Sequence, residues 1–180
     1  MRYFHHTVRC VVPAVTMVFL LGSSPVKASS GEVNITGNIV SNTCNVSLDD
    51  RDKTVQMGVV SAKQFEDGNT TASLRPFTLT LVDCGPAASA MTVGFQGPED
   101  QNRHDLLAID AGDTAATGLG IALLNSDKAQ IPINSRTPPY TLQPGTDTMV
   151  LQFYAQYTAN GTAVKAGPAN ATATFDFVYD

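Results

Sequence analysis

The stretch "SGEVNITGNIVSNTC", Ser30 to Cys44, places Val33, Ile35, Gly37 and Ile39 on one side of a strict alternation and Glu32, Asn34, Thr36 and Asn38 on the other. A period of two is the signature of a β-strand with one face meant for burial. Chain ends are ordinarily frayed, so a strand written this early constrains the fold strongly. It needs a sheet to join.

The residues ahead of it read as a leader. Arg2 and Arg9 precede an apolar run of 12 residues, Val11 to Gly22, and Val26 and Ala28 fit a small-residue cleavage site. The run is too short to span a bilayer, and the pattern predicts a signal peptide over residues 1–28. The remaining 152 residues, Ser29 to Asp180, suit one domain with a core of its own. They keep all 16 acidic residues but 8 of the 11 basic ones, a net charge of −8. That balance argues against nucleic acid or an anionic membrane as partner, and no later stretch is long enough for membrane insertion.

Export bears on the cysteines. Cys10 belongs to the leader, which leaves Cys44 and Cys84 as a pair in an oxidising compartment, where a disulfide is expected. It would close a loop of about 40 residues, for which the chain-entropy relation gives roughly 4 kcal/mol. The spacing is not that of a CxxC redox motif.

Helical periodicity is nearly absent. Strand-like runs recur between turn signals: "GNIVSNTCNVSL", "KTVQMGVV", "LRPFTLTLVDC", "AMTVGFQG", "LLAID", "LGIALLN", "QIPIN", "DTMVLQFYAQYTA" and "NATATFDFVYD". Leu74 to Cys84 sets Phe77, Leu79 and Leu81 against Thr78, Thr80 and Val82, while the last run puts Phe175, Phe177 and Tyr179 on one face. Asp49 to Asp52 reads as a solvated charged turn, and "SAKQFED" alone suits a helical turn or two. Short strands with a turn every ten residues or so indicate an all-β sandwich.

Chemistry has little to stand on. The sole histidine outside the leader, His104, neighbours Asp105 but has no nucleophile or metal partner at a telling spacing. One histidine and two oxidised cysteines make no metal site, and "DDRD" lacks the glycine and distal glutamate of an EF-hand loop. "GLG", Gly118 to Gly120, lacks the third glycine of a dinucleotide fingerprint and reads as a strand start with close backbone packing. Five Asn-x-Ser/Thr triplets, at Asn34, Asn45, Asn69, Asn160 and Asn170, are expected by chance in so Asn- and Thr-rich a chain. The chain is read as no enzyme, with no cofactor and no metal.

Both ends of the processed chain are thus written as strands. "EVNITGNIV", the Cys44/Cys84 spacing, "LLAIDAGDTAATGLGIALLN", "QIPIN", "LQFYAQY" and "AGPANATATFDFVY", taken in order, resemble the pilins of the chaperone–usher pathway, most of all the minor tip-fibrillum adaptor subunits of type 1 fimbriae. The resemblance implies an incomplete immunoglobulin-like β-sandwich of six strands, with the seventh supplied in trans. It implies a signal peptide (1–28), a donor-strand extension (29–41) and a pilin domain (42–180). The groove-filling donor residues would be Gly31, Val33, Ile35, Gly37 and Ile39. Burial of the three aliphatic ones is worth roughly 5–9 kcal/mol. Chaperone recognition would fall to Gly167, Phe175, Phe177, Tyr179 and Asp180, the last a charged residue where the family pattern has a neutral polar one. Implied partners are a periplasmic chaperone, an outer-membrane usher and neighbouring pilins at the cell surface. A major shaft pilin and a stand-alone secreted β-sandwich binding module are the competing readings.

Overall fold

In this computed structural model the residues described are 35–37, 43–66, 70–86, 89–143 and 146–179. The chain separates into two units, Met1–Gly37 and Asn38–Asp180. In the first, Ile35 is almost fully exposed at 91% and Gly37 has open space around its Cα. The expected leader, Gly31, Val33, Ile39 and Asp180 lie outside the described residues. Among those described, no helix is long and apolar enough to cross a membrane.

The second unit is all-β. Its strands are β1 (Asn45–Val46), β2 (Thr71–Val82), β3 (Ala90–Gln96), β4 (Leu119–Leu124), β5 (Gln130–Ile131), β6 (Tyr140–Thr141), β7 (Thr148–Ala159) and β8 (Thr174–Tyr179). One antiparallel sheet has the order β1-β2-β7-β4-β5 and the other β6-β3-β8. The expected six strands correspond to β1, β2, β3, β4, β7 and β8. The run "QIPIN" yields only the two-residue β5, and β6 is an addition hidden behind Pro138 and Pro139.

The alternations become the core. Leu79 and Leu81 of β2 and Leu151, Phe153, Ala155 and Tyr157 of β7 face inward, with Met91, Val93 and Phe95 of β3 opposite. Phe153 sits at the centre, stacked on Phe77 at 5.6 Å between centroids and meeting Phe95 edge-on at 5.2 Å. Both geometries favour aromatic pairs. β4 is buried on both faces, because Leu106 packs with Ala122 and Leu124 on its outer side. That explains its unbroken apolar run.

Pro76 lies within a strand of 12 residues without breaking it. Ser47 N–H donates to the Thr80 carbonyl at 2.9 Å, and Thr80 N–H donates to Asp50 Oδ2 at 2.7 Å. The even-numbered residues of β2 therefore aim their backbone groups away from β7, and the N–H that proline lacks falls on that open side.

Three expectations are corrected. "KTVQMGVV" forms no ladder: Val55, Met57 and Val60 pack against the core, but the Met57 carbonyl accepts side-chain bonds from Ser73 Oγ and from Arg75 Nε at 3.2 Å. "LLAID" is not a strand either. Leu107 alone bridges to Ile121 and Glu99, since Leu106 N–H closes a turn on the Arg103 carbonyl and Asp110 N–H bonds Asn170. "SAKQFED" holds one 3-10 turn, Ala62–Phe65, as expected, and a second covers Leu48–Asp50.

The third correction concerns the charged turn, where Asp50 is only 4% exposed. It binds Lys53 Nζ at 2.5 Å as well as Thr80 N–H, and so pins the turn to β2. Burial pushes its pKa up, but the hydrogen bonds from Lys53 and Thr80, with the lysine charge, outweigh it and hold the carboxyl below its usual 3.8. A depressed folded-state pKa contributes stability that is full above the ordinary carboxylate value and lost as pH falls through the lower one. Asp50→Asn is therefore expected to cost about 1–3 kcal/mol at neutral pH. In urea titrations the gap to the parent should close only at a pH below the ordinary carboxylate range. A gap that persists unchanged into strong acid contradicts the assignment.

Candidate functional site

The edge of the second sheet is decided by which way β3 points. The carbonyls of Val93 and Phe95 accept from the N–H groups of Thr137 (2.9 Å) and Asn134 (2.8 Å), and Val93 N–H donates to Thr137 Oγ1 at 3.0 Å. Val93 and Phe95 thus face the 134–137 segment, leaving the backbones of Thr92, Gly94 and Gln96 for β8. Their partners there are Val178, Asp176 and Thr174. In an antiparallel ladder the intervening residues then turn their N–H and C=O groups the other way. These are Phe175, Phe177 and Tyr179, and among the described residues no strand pairs with that side.

The same three residues point their side chains inward, where they are half-buried against the core. Phe175 and Phe177 meet edge-on at 5.7 Å between centroids. The Tyr179 hydroxyl donates to the Cys44 carbonyl at 3.2 Å, and burial raises its pKa above that of an ordinary phenol. The expected disulfide Cys44–Cys84 is formed beside this contact and ties β1 to the end of β2. The result is a strand whose apolar face is incompletely covered and whose hydrogen-bonding edge is open.

The lead-in to β8 is fixed by close packing. A Cβ at Gly167 would overlap the backbone of Thr114, Ala115 and Ala116, and Ala116 N–H donates to the Pro168 carbonyl at 2.8 Å. Tyr157 O–H donates to the Ala169 carbonyl at 2.9 Å. Of the residues expected to serve recognition, the structure brings Phe175, Phe177 and Tyr179 together on one edge. Gly167 stands at the start of the same segment with a packing role of its own.

Other candidates are engaged structurally. His104 is 75% exposed, with Nδ1 3.3 Å from Glu99 Oε2. The Arg103 guanidinium beside Asp105 holds that carboxyl below its usual range, with Gln130 adding a bond. Asn160, one of the glycosylation-type triplets, is buried and donates to Asp100 Oδ2 at 2.9 Å. Among the described residues no cluster of three or more His, Cys, Asp or Glu is placed to hold a metal. What the alternation could not reveal is the ion pair Arg136–Asp176 on the outward face of β8. The lone charge in "TFDFVY" and the glycine opposite it in "TVGFQ" were the available signals.

Comparison with known proteins agrees with this architecture. The family model described as "Fimbrial protein" matches residues 33–180. The chain belongs to that family. It is 37% identical over 169 residues to the uncharacterized fimbrial-like protein YcbV of Escherichia coli K12, covering 92% of this chain and 97% of that one. It is 36% identical over 163 residues to the fimbrial subunit type 1 of Salmonella typhimurium, covering 87% and 86% respectively. The crystal structure of the P pilus rod subunit PapA superposes with a TM-score of 0.65 at 23% identity, over 76% of this chain and 99% of that one, a likeness of fold. This fimbrial protein is accordingly a structural subunit of a surface fimbria rather than an enzyme.

Gly167→Ala should cost about 1–3 kcal/mol through overpacking. Tyr179→Phe should cost about 0.5–1.5 kcal/mol through its lost hydrogen bond. Equilibrium unfolding of both variants measures this, and parent-like stability of Gly167→Ala would show that the 114–116 backbone yields.

Proposed function

We propose that this fimbrial subunit is assembled by donor-strand exchange. A periplasmic chaperone first fills the place beside β8, and at the outer-membrane usher a neighbouring subunit's extension replaces it. The observation that carries this reading is the open β8 edge, which offers the N–H and C=O groups of Phe175, Phe177 and Tyr179 beside half-buried aromatic rings. Strand addition is the mode of recognition that such an edge suits.

The chain's own donation would come from residues 29–41, once a leader of residues 1–28 is removed. Gly31, Val33, Ile35, Gly37 and Ile39 then enter the groove of the next subunit, and residues 42–180 form the pilin domain. Gly167, Phe175, Phe177, Tyr179 and Asp180 serve chaperone recognition, with the terminal carboxylate held by basic chaperone residues through charge-assisted bonds. The short extension and the "GLGIALLN…QIPIN" stretch favour an adaptor near the tip, involved in adhesion. A place along the shaft, as a major pilin, is the second reading.

Deleting Ser29–Ile39 is expected to leave a subunit that co-purifies with its chaperone yet fails to cap the groove of another. Normal entry of the truncated chain into polymers would overturn the donor assignment. Counting subunits per fimbria by quantitative immunolabelling separates the two positions. An adaptor is present in one or a few copies near the tip, whereas a shaft pilin decorates the whole length.

A further inference from the structure

The inward face of the last segment is nearly degenerate: Ala173, Phe175, Phe177 and Tyr179 are all apolar and spaced by two. A one-residue slip of β8 along β3 would turn these side chains to solvent, so burial forbids it. A two-residue slip keeps the faces correct, and is opposed from the two ends of the segment, by the packed lead-in at Gly167 to Asn170 and by the Tyr179–Cys44 bond. A restraint on the even registers within the strand itself would have to come from elsewhere.

The outward face supplies it. Asp176 is the sole charged residue among Thr174, Asp176 and Val178, and it pairs with Gly94 in the ladder. On the other side of β3, Arg136 bridges to the same Gly94. Arg136 Nη2 reaches across the strand to Asp176 Oδ2, and Gln96 Nε2 adds a bond to Asp176 Oδ1 at 3.0 Å. The ion pair lies over the glycine. A Cβ at Gly94 would come within 2.8 Å of Asp176 Oδ1 and 3.4 Å of the Arg136 guanidinium. In either slipped register Thr174 or Val178 would stand opposite Gly94, and the ion pair would be lost.

We propose that Arg136, Gly94 and Asp176 form a clamp that locks β8 into the one register in which Phe175, Phe177 and Tyr179 face an incoming strand. They are positioning residues: none supplies a backbone group to that strand. The proposal rests on the strand-acceptor reading above and adds to it what fixes the acceptor.

The test is uptake of a labelled synthetic peptide of residues 29–41 by the full chain, followed by fluorescence anisotropy beside thermal unfolding. Asp176→Asn and Arg136→Gln should slow uptake at least tenfold, with Tm lowered by only a few degrees. The reversed pair, Arg136→Asp with Asp176→Arg, should recover most of the rate. Amide exchange on residues 174–179 should quicken in the single variants and slow again in the reversed pair. Parent-like uptake by both single variants overturns the clamp and leaves the acceptor reading standing. A parent chain that takes up no peptide overturns the acceptor reading, and the clamp's proposed role with it. Slow uptake that follows lost Tm in every variant, reversed pair included, also overturns the proposal, because it marks a general loss of stability.

Discussion

An antiparallel strand has two hydrogen-bonding edges, and β8 uses one of them on described residues of its own fold. Unpaired backbone groups beside an incompletely covered apolar face carry a cost that the rest of the molecule must tolerate. The first sheet is built to do so. β2 and β7 pair along most of their length, β4 is covered on both faces, and Phe153 anchors an aromatic centre. The long ladders thus lie in one sheet and the open edge in the other.

The remaining edges show that this openness is selective. β1, β5 and β6 are two residues long, which gives an incoming chain little to pair with. The open side of β2 carries Pro76, and the Asp50 turn occupies Thr80. Short strands, proline and buried side-chain bonds are the usual means of blunting an edge. Among the described residues β8 combines a six-residue edge with half-buried aromatics and has none of these protections on its inward face. Donated segment and accepting edge lie at opposite ends of the chain, so in the proposed mode each contact is heterologous. Repetition of such a contact gives an open filament rather than a closed ring.

Much of this was legible in residue spacing. Period two in "FTLTL", "MTVGF" and "VLQFYAQY" gives β2, β3 and β7 with their inward faces, because alternation is a local property that burial then selects. Export together with two cysteines gave the disulfide. The failures are all non-local. "KTVQMGVV" has a strand's pattern, but the bulge in β2 at Ser73 and Arg75 captures the Met57 carbonyl. "LLAID" has the composition of a strand, yet Leu106 and Leu107 serve different clusters on either side of β4. Asp50 looks solvated in "DDRD" until Lys53 and Thr80 are brought to it. The deciding partners lie beyond the reach of a strand-length window, 16 and 18 residues away for Met57 and 30 for the Asp50–Thr80 bond.

The edge itself has the same two-part character. Its apolar half is written plainly in "ATATFDFVY", and hydrophobic burial supplies energy there without much direction. A repeat that keeps its apolar face inward after a shift of two residues defines only weakly where an incoming strand should start. Polar groups are poor contributors to net stability on an exposed face, but their distance dependence is steep and their geometry specific. In the proposed clamp the pair Arg136–Asp176 over Gly94 therefore adds what Phe175 and Phe177 lack, a polar contact that a shift of two residues would break. In the proposed mode, an acceptor that takes up one strand and later exchanges it for another uses both, affinity from its rings and alignment from its charges.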